Sequence, residues 1–134
     1  MRPANLVLIE DNPGDVLLVE LALKENGIAC VLTRFHCGAD AVRVLCSPAE
    51  ANHVVPDVIL LDLNTPRSDG FQVLSELRQS PRLAQVPIAV LTSSQASSDR
   101  HRTALQNVSF IQKPSHLPDF LATVGQAVKE MLQE

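Results

Sequence analysis

The stretch VILLDLNTPRSDG, Val58 to Gly70, decides how this chain is read. Four aliphatic residues run directly into the carboxylate of Asp62, and Asn64, Pro66 and an Asp-Gly pair follow almost at once. A short run with no polar interruption suits a strand buried on both faces. Asn, Pro and Asp-Gly are turn formers, each for its own steric reason. The chain thus drives a core strand outward and stops it on an acid, which makes sense where the carboxyl end of the strand is the working edge of a sheet.

The same pattern recurs on either side. NLVLI (Asn5 to Ile9), DVILL (Asp57 to Leu61) and VPIAVLT (Val86 to Thr92) read as buried strands; ACVLTRF (Ala29 to Phe35) and VSFIQ (Val108 to Gln112) read as two more. Helical segments alternate with them. NPGDVLLVELALKENG (Asn12 to Gly27) has a capping Asn12, Pro13 at its first position, Asp15 at the positive end of the dipole and Gly27 as a stop. ADAVRVLC (Ala39 to Cys46) and GFQVLSELRQS (Gly70 to Ser80) follow, the latter with Phe71, Val73, Leu74 and Leu77 toward one side. SSDRHRTALQN (Ser97 to Asn107) is a weakly patterned helix. The closing segment HLPDFLATVGQAVKEMLQE (His116 to Glu134) carries an apolar stripe of Leu121, Val124, Val128 and Leu132, read as packing on the sheet. SPAEANHVVP (Ser47 to Pro56) is a long connection. Five β-α units of this kind define an α/β chain with a parallel sheet covered on both faces. Ligands of such open sheets sit beyond the carboxyl ends of the strands.

Composition narrows the function. A chain of 134 residues suits one domain, 1–134, ending directly after its closing helix with no output domain. The formal net charge of -4 argues against a nucleic-acid-binding surface, and the mixed cluster Asp99 to Arg102 is a solvated face. No apolar run approaches the ~20 residues of a membrane helix, and the start meets acid too early for a secretory signal. Cys30, Cys37 and Cys46 are odd in number and lack a C-x-x-C spacing, which points to reduced thiols and a cytoplasmic location. His36 and Cys37, read as neighbours on a strand, point to opposite faces and share no metal.

The residues that end the strands carry the chemistry. The first strand ends in Glu10 and Asp11, the third in Asp62, the fourth in Thr92 and the fifth in Lys113. Each alone has a bland reading as a loop acid, a helix cap or a surface lysine; their coincidence at matching strand ends does not. Two carboxylates ~4 Å apart repel by about 4 kcal/mol at an effective dielectric near 20, so the group must protonate, pair or bind a cation. One lysine does not neutralise three acids, but it can pair with one of them or with an incoming phosphate. Mg²⁺ suits oxygen ligands completed by a phosphate. The set therefore reads as a site for phosphoryl chemistry, with Asp62 as nucleophile. Glu10, Asp11 and the backbone carbonyl of Asn64 act as metal ligands alongside it, and Lys113 and Thr92 face the phosphoryl oxygens.

LIEDNP, LLDLNTPRSDG, VLTSS and QKP occur in the order and register of the receiver domain of bacterial two-component response regulators, and the chain resembles that family over nearly its whole length. The resemblance implies a flavodoxin-like (βα)5 doubly wound sheet with strand order 2-1-3-4-5. It implies that a sensor histidine kinase donates a phosphoryl group to Asp62, with Glu10 and Asp11 as the acidic metal pair, Asn64 as a main-chain metal contact and Lys113 as the invariant lysine. It makes Thr92 and Phe110 the switch pair: the hydroxyl moves toward the phosphoryl oxygens, the aromatic ring turns inward, and the surface of the fourth helix, fifth strand and fifth helix changes. That surface would meet a downstream protein, a phosphotransfer partner or a second copy. It also implies a cis bond before Pro114, aiming Lys113 into the site. Ser94 and Asn64 occupy positions that tune how fast the phosphoryl group is lost. EDNPGDVLL, the long segment before Asp57 and LTSS are most similar to small stand-alone regulators paired with phytochrome-type kinases. The chain departs from the family in having Glu10 for the frequent Asp, Phe110 without a hydroxyl, and a Thr92-to-Lys113 interval one residue short, which implies a connection tightened around Asn107 to Ser109.

Three other functions compete. A haloacid-dehalogenase-type phosphatase also uses an Asp after a buried strand with Mg²⁺, but needs a second Asp where this chain has Asn64. A nucleotide or flavin module needs a Gly-rich loop after the first strand, and none is present. A degenerate receiver that works without phosphorylation is at odds with intact Asp62, Thr92 and Lys113.

Overall fold

Five parallel strands form one sheet in the order β2-β1-β3-β4-β5 in the computed structural model, which describes residues 3–47, 55–63, 69–92 and 108–133. The strands are β1 (Ala4–Ile9), β2 (Cys30–Phe35), β3 (Val58–Asp62), β4 (Ile88–Thr92) and β5 (Val108–Gln112). The helices among the described residues are α1 (Pro13–Glu25), α2 (Gly38–Leu45), α3 (Gly70–Gln79) and α4 (Leu117–Leu132). The doubly wound, flavodoxin-like arrangement expected from the sequence is the one observed. The helix expected over Ser97 to Asn107 lies outside the described residues, as do Asn64, Ser94 and most of the Ser47-to-Pro56 connection.

Strand composition explains strand position. Every residue of β3 and β4 is buried, as befits strands flanked on both edges and both faces. Edge strand β2 alternates instead: Val31 and Thr33 face outward while Cys30 and Leu32 pack inward. The sheet divides the core into two layers. On one face Leu6, Leu8, Leu60 and Leu91 meet Val19, Leu23, Val124 and Val128 of α1 and α4. On the other, Val7, Ile59, Leu61 and Val90 meet Val73, Leu74 and Leu77 of α3 and Ala41 of α2. Each such aliphatic side chain contributes about 1.5–3 kcal/mol when fully buried. The stripe expected on the closing helix packs on the sheet, with Val124 and Val128 buried and Leu121 and Leu132 partly so.

Several boundaries shift from the sequence reading. Asp57 precedes β3 rather than opening it: its N–H donates to Asn5 O and its carboxylate accepts the Asn5 N–H, both at 2.7 Å. Val86 and Pro87 precede β4, because the Val86 N–H closes a turn on Leu83 O. Cys37 lies past the end of β2 and is the N-cap of α2. All three cysteines are free thiols, and burial pushes the Cys30 and Cys46 thiols up. Among the described residues no peptide bond is cis, so the bond before Pro114 is trans, contrary to the expectation from the family.

Helix α1 starts and stops where its sequence says. The Asn12 side chain accepts from the N–H groups of Gly14 and Asp15. At the other end Gly27, at φ 68°, lets the Ile28 N–H reach Leu23 O and its own N–H reach Lys24 O. The Asn26 side chain then crosses to α4, donating to Ala22 O at 2.8 Å and Leu121 O at 3.1 Å. Gly125 makes that crossing possible, since a Cβ there would sit 1.9 Å from Asn26 Nδ2. Replacing Gly125 with Ala should therefore destabilise the fold by about 1–3 kcal/mol through overpacking and a lost inter-helix hydrogen bond. Chemical denaturation checks this. Adding Asn26→Ala should recover part of the loss, whereas strictly additive losses would show that the two residues do not compete for one space.

Candidate functional site

The backbone ladder carries the strand ends into the site. The Glu10 N–H donates to Phe35 O at 3.0 Å, the Leu63 N–H to Leu91 O at 3.2 Å and the Lys113 N–H to Thr92 O at 2.8 Å. The residues flanking the strand termini are thus held as firmly as the strands themselves. The register places Asp62 opposite Leu91 and Thr92 opposite Gln112. Glu10, Asp62 and Thr92 are all buried, with Glu10 only 1% exposed. Just beyond Asp62 the start of α3 presses on the turn: a Cβ on Gly70 would lie 2.7 Å from Leu63 Cα.

Glu10, Asp11, Asp62 and Lys113 come together as the sequence implied. One carboxylate oxygen from each of Glu10, Asp11 and Asp62 lies within 4.8 Å of the others. The Lys113 ammonium, however, pairs with three acids rather than one. Its Nζ is 2.9 Å from Glu10 Oε2, 2.8 Å from Asp15 Oδ2 and 3.4 Å from Asp62 Oδ2. An ammonium on a flexible four-carbon stem has three donors and no fixed fork, so it can serve several acceptors at once.

Electrostatics follow from that crowding. Burial pushes the Glu10 carboxyl up to about 7, helped by its hydrogen bond to Asp62 and opposed by Lys113. Burial alone would lower the Lys113 ammonium, but its hydrogen bonds to Asp15 and Glu10 and the charge of Asp62 hold it above its ordinary value. Lys113 therefore stays charged beside the buried carboxyls.

Two participants escaped the sequence reading. Asp15 was assigned only to the helix dipole, yet its carboxylate reaches the site. No local signal in the sequence singled it out, because a first-turn acid is already accounted for by the helix dipole. Arg34, near the end of β2, donates from Nε to Glu10 O at 3.1 Å and from Nη2 to Asp11 O at 3.0 Å. It clamps the backbone of the two acids, and only the β2-β1 adjacency reveals it. Phe110 is half-buried on β5. It pairs with Val90 as Gln112 pairs with Thr92, so Thr92 and Phe110 lie on the same face of adjacent strands.

Three oxygen donors converging from two strand ends fit a hard divalent cation. Comparison with known proteins agrees with the geometry. The response regulator receiver domain model matches residues 6–125, and the chain belongs to that family. It is 32% identical over 129 residues to the probable methanogenesis regulatory protein FilR2 of Methanothrix harundinacea, covering 96% of this chain and 83% of FilR2. It is 39% identical over 98 residues to response regulator Rcp1 of Synechocystis, covering 72% of this chain and 67% of Rcp1. The Mn²⁺-bound form of Rcp1 superposes with a TM-score of 0.85 at 32% identity, covering 98% of this chain and 96% of that one. The phosphorylated cyanobacterial phytochrome response regulator RcpA superposes with a TM-score of 0.86 at 29% identity, covering 98% and 95%. The chain is thus a receiver domain of two-component signalling, with an acidic cluster suited to a divalent metal.

The raised Glu10 has a measurable consequence. Its folded value of about 7 exceeds the ordinary 4.5. Folding of the metal-free protein therefore takes up a proton in this window. The stability contributed by Glu10 is full below pH 4.5 and is lost as pH rises through about 7. Denaturant unfolding in a chelator, repeated across this window, should show stability falling with pH at wild type and a flatter profile in Glu10→Gln. Identical slopes for the two proteins would contradict the assignment.

Proposed function

We propose that this receiver domain belongs to a cytoplasmic response regulator that accepts a phosphoryl group from a sensor histidine kinase on Asp62 in a Mg²⁺-dependent reaction. The observation that carries the reading is the convergence of Asp62 with Glu10, Asp11 and Lys113 at one sheet edge. An Asp62 carboxylate oxygen attacks the phosphorus of the donor. A new O–P bond forms, the bond from phosphorus to the donor breaks, and its electron pair leaves with the donor. Lys113 supplies a fixed positive charge next to the phosphoryl oxygens, and the Thr92 hydroxyl supplies a donor at the end of β4. Glu10, Asp11 and Asp62, with the Asn64 main-chain oxygen, would hold Mg²⁺, which when bound offsets charge on the phosphoryl group and leaves the attack to the carboxylate.

Phosphorylation then acts as a two-state bias. Thr92 turns toward the phosphoryl oxygens and Phe110 follows on the same sheet face. The surface made by β5, α4 and the helix expected over Ser97 to Asn107 changes shape. That surface would engage a downstream protein, a phosphotransfer partner or a second copy of the chain. Likeness to RcpA, a phytochrome response regulator, supports a phytochrome-type kinase as the donor.

The test is an intact-mass measurement after incubation with Mg²⁺ and acetyl phosphate. A single phosphoryl adduct, stable in acid, labile in base and absent from Asp62→Asn, is expected. No adduct would indicate a domain that works without phosphorylation, and sustained turnover of phosphomonoesters would indicate a phosphatase; either result overturns the reading.

A further inference from the structure

Lys113 is shared unequally. Its contacts to Asp15 and Glu10, at 2.8 and 2.9 Å, are short, while that to Asp62, at 3.4 Å, is the longest of the three. The acid that is to be phosphorylated is the one the ammonium holds least closely. The acid that holds it most closely, Asp15, belongs to α1 and lies outside the oxygen triad of Glu10, Asp11 and Asp62.

Helix capping does not account for Asp15. An acid at this position, third in the helix, commonly reaches back to the N–H of the N-cap residue. Here the Asn12 N–H donates to Glu10 Oε1 at 3.2 Å instead, and the Asn12 side chain accepts the N–H groups of Gly14 and Asp15. The Asp15 backbone is fixed by the cap while its carboxylate is turned to Lys113. A helix end held by its cap thus presents one negative charge to the flexible lysine.

We propose that Asp15 is a positioning residue for Lys113: it draws the ammonium toward α1 and weakens its hold on Asp62, the acid that a divalent cation and a phosphoryl donor must reach. The inference rests on the reading of the site as a Mg²⁺-dependent phosphoacceptor. Without Asp15 the ammonium leans fully on Glu10 and Asp62, and a metal ion entering the triad must displace it.

Two measurements test this on the full chain. The first needs no metal. The sequence has three lysines, Lys24, Lys113 and Lys129, so lysine-selective NMR in chelator resolves Lys113 by comparison with Lys113→Met. Its side-chain resonance should move in Asp15→Asn while those of Lys24 and Lys129 hold, and Asp15→Glu should return it partway; an unmoved Lys113 resonance overturns the anchoring. The second is calorimetric titration of Mg²⁺ into wild type, Asp15→Asn, Lys113→Met and the double variant. Asp15→Asn should weaken Mg²⁺ binding about tenfold when Lys113 is present, the scale of losses on removing a supporting residue of a metal site. In the Lys113→Met background the same change should alter binding by less than about twofold, the scatter of independent effects. Equal losses in both backgrounds would show Asp15 acting as a nearby charge and overturn the proposal. Failure of the wild type to bind Mg²⁺ would overturn the phosphoacceptor reading, and with it the metal-clearing role, whatever the NMR shows of the ion pair.

Discussion

The ammonium of Lys113 is the interaction on which the site depends. It reaches three carboxylates that come from separate parts of the chain: Glu10 after β1, Asp15 on α1 and Asp62 at the end of β3. Without a cation these acids would repel one another by several kcal/mol, and the burial of Glu10 and Asp62 would make that repulsion worse. Removing one partner of such a buried set typically costs about 3–5 kcal/mol, because the remaining charges are left uncompensated. The metal-free site is therefore a balance of one ammonium, a partly protonated Glu10 and the remaining carboxylates. The oxygen triad is suited to a divalent cation as a further member of the same balance.

The fold exists to make that balance possible. Parallel strands of matched length end at one edge, and the ladder continues one residue further at Glu10, Leu63 and Lys113. Arg34 fixes the carbonyls of Glu10 and Asp11 from the neighbouring edge strand, so those two acids are presented from a tethered backbone. The aliphatic layers on both faces supply the stability that a crowded anionic edge cannot. Core and site meet at Asp62, the last residue of a strand whose other members are wholly apolar.

Much of this was legible in the sequence because the signals are local. A run such as VILLD has one comfortable place in an α/β fold, and the acids, hydroxyl and lysine that close the runs fall on one edge once the strands are parallel. Strand order was not local: it came from likeness to a family, and Arg34 became visible only when β2 was placed beside β1. Asp15 was missed for a different reason. A first-turn acid already has a sufficient explanation in the helix dipole, and only the diversion of the Asn12 N–H to Glu10 shows that its carboxylate serves something else. The expected cis bond before Pro114 was carried over from the family, while Lys113 enters the site from a trans backbone by the reach of its own side chain. Boundaries at Asp57 and Val86 shifted because hydrogen bonds to Asn5 and Leu83 take those residues out of the strand geometry their composition favours.

The most direct test of the central claim is a diffraction experiment on crystals grown with Mn²⁺, reading the anomalous signal of the metal. The expected result is a single strong peak bounded by the carboxylates of Glu10, Asp11 and Asp62, with Lys113 Nζ still beside Asp15. A fully occupied Mn²⁺ elsewhere with none at this edge, or Asp11 and Lys113 turned away from Asp62, would contradict it.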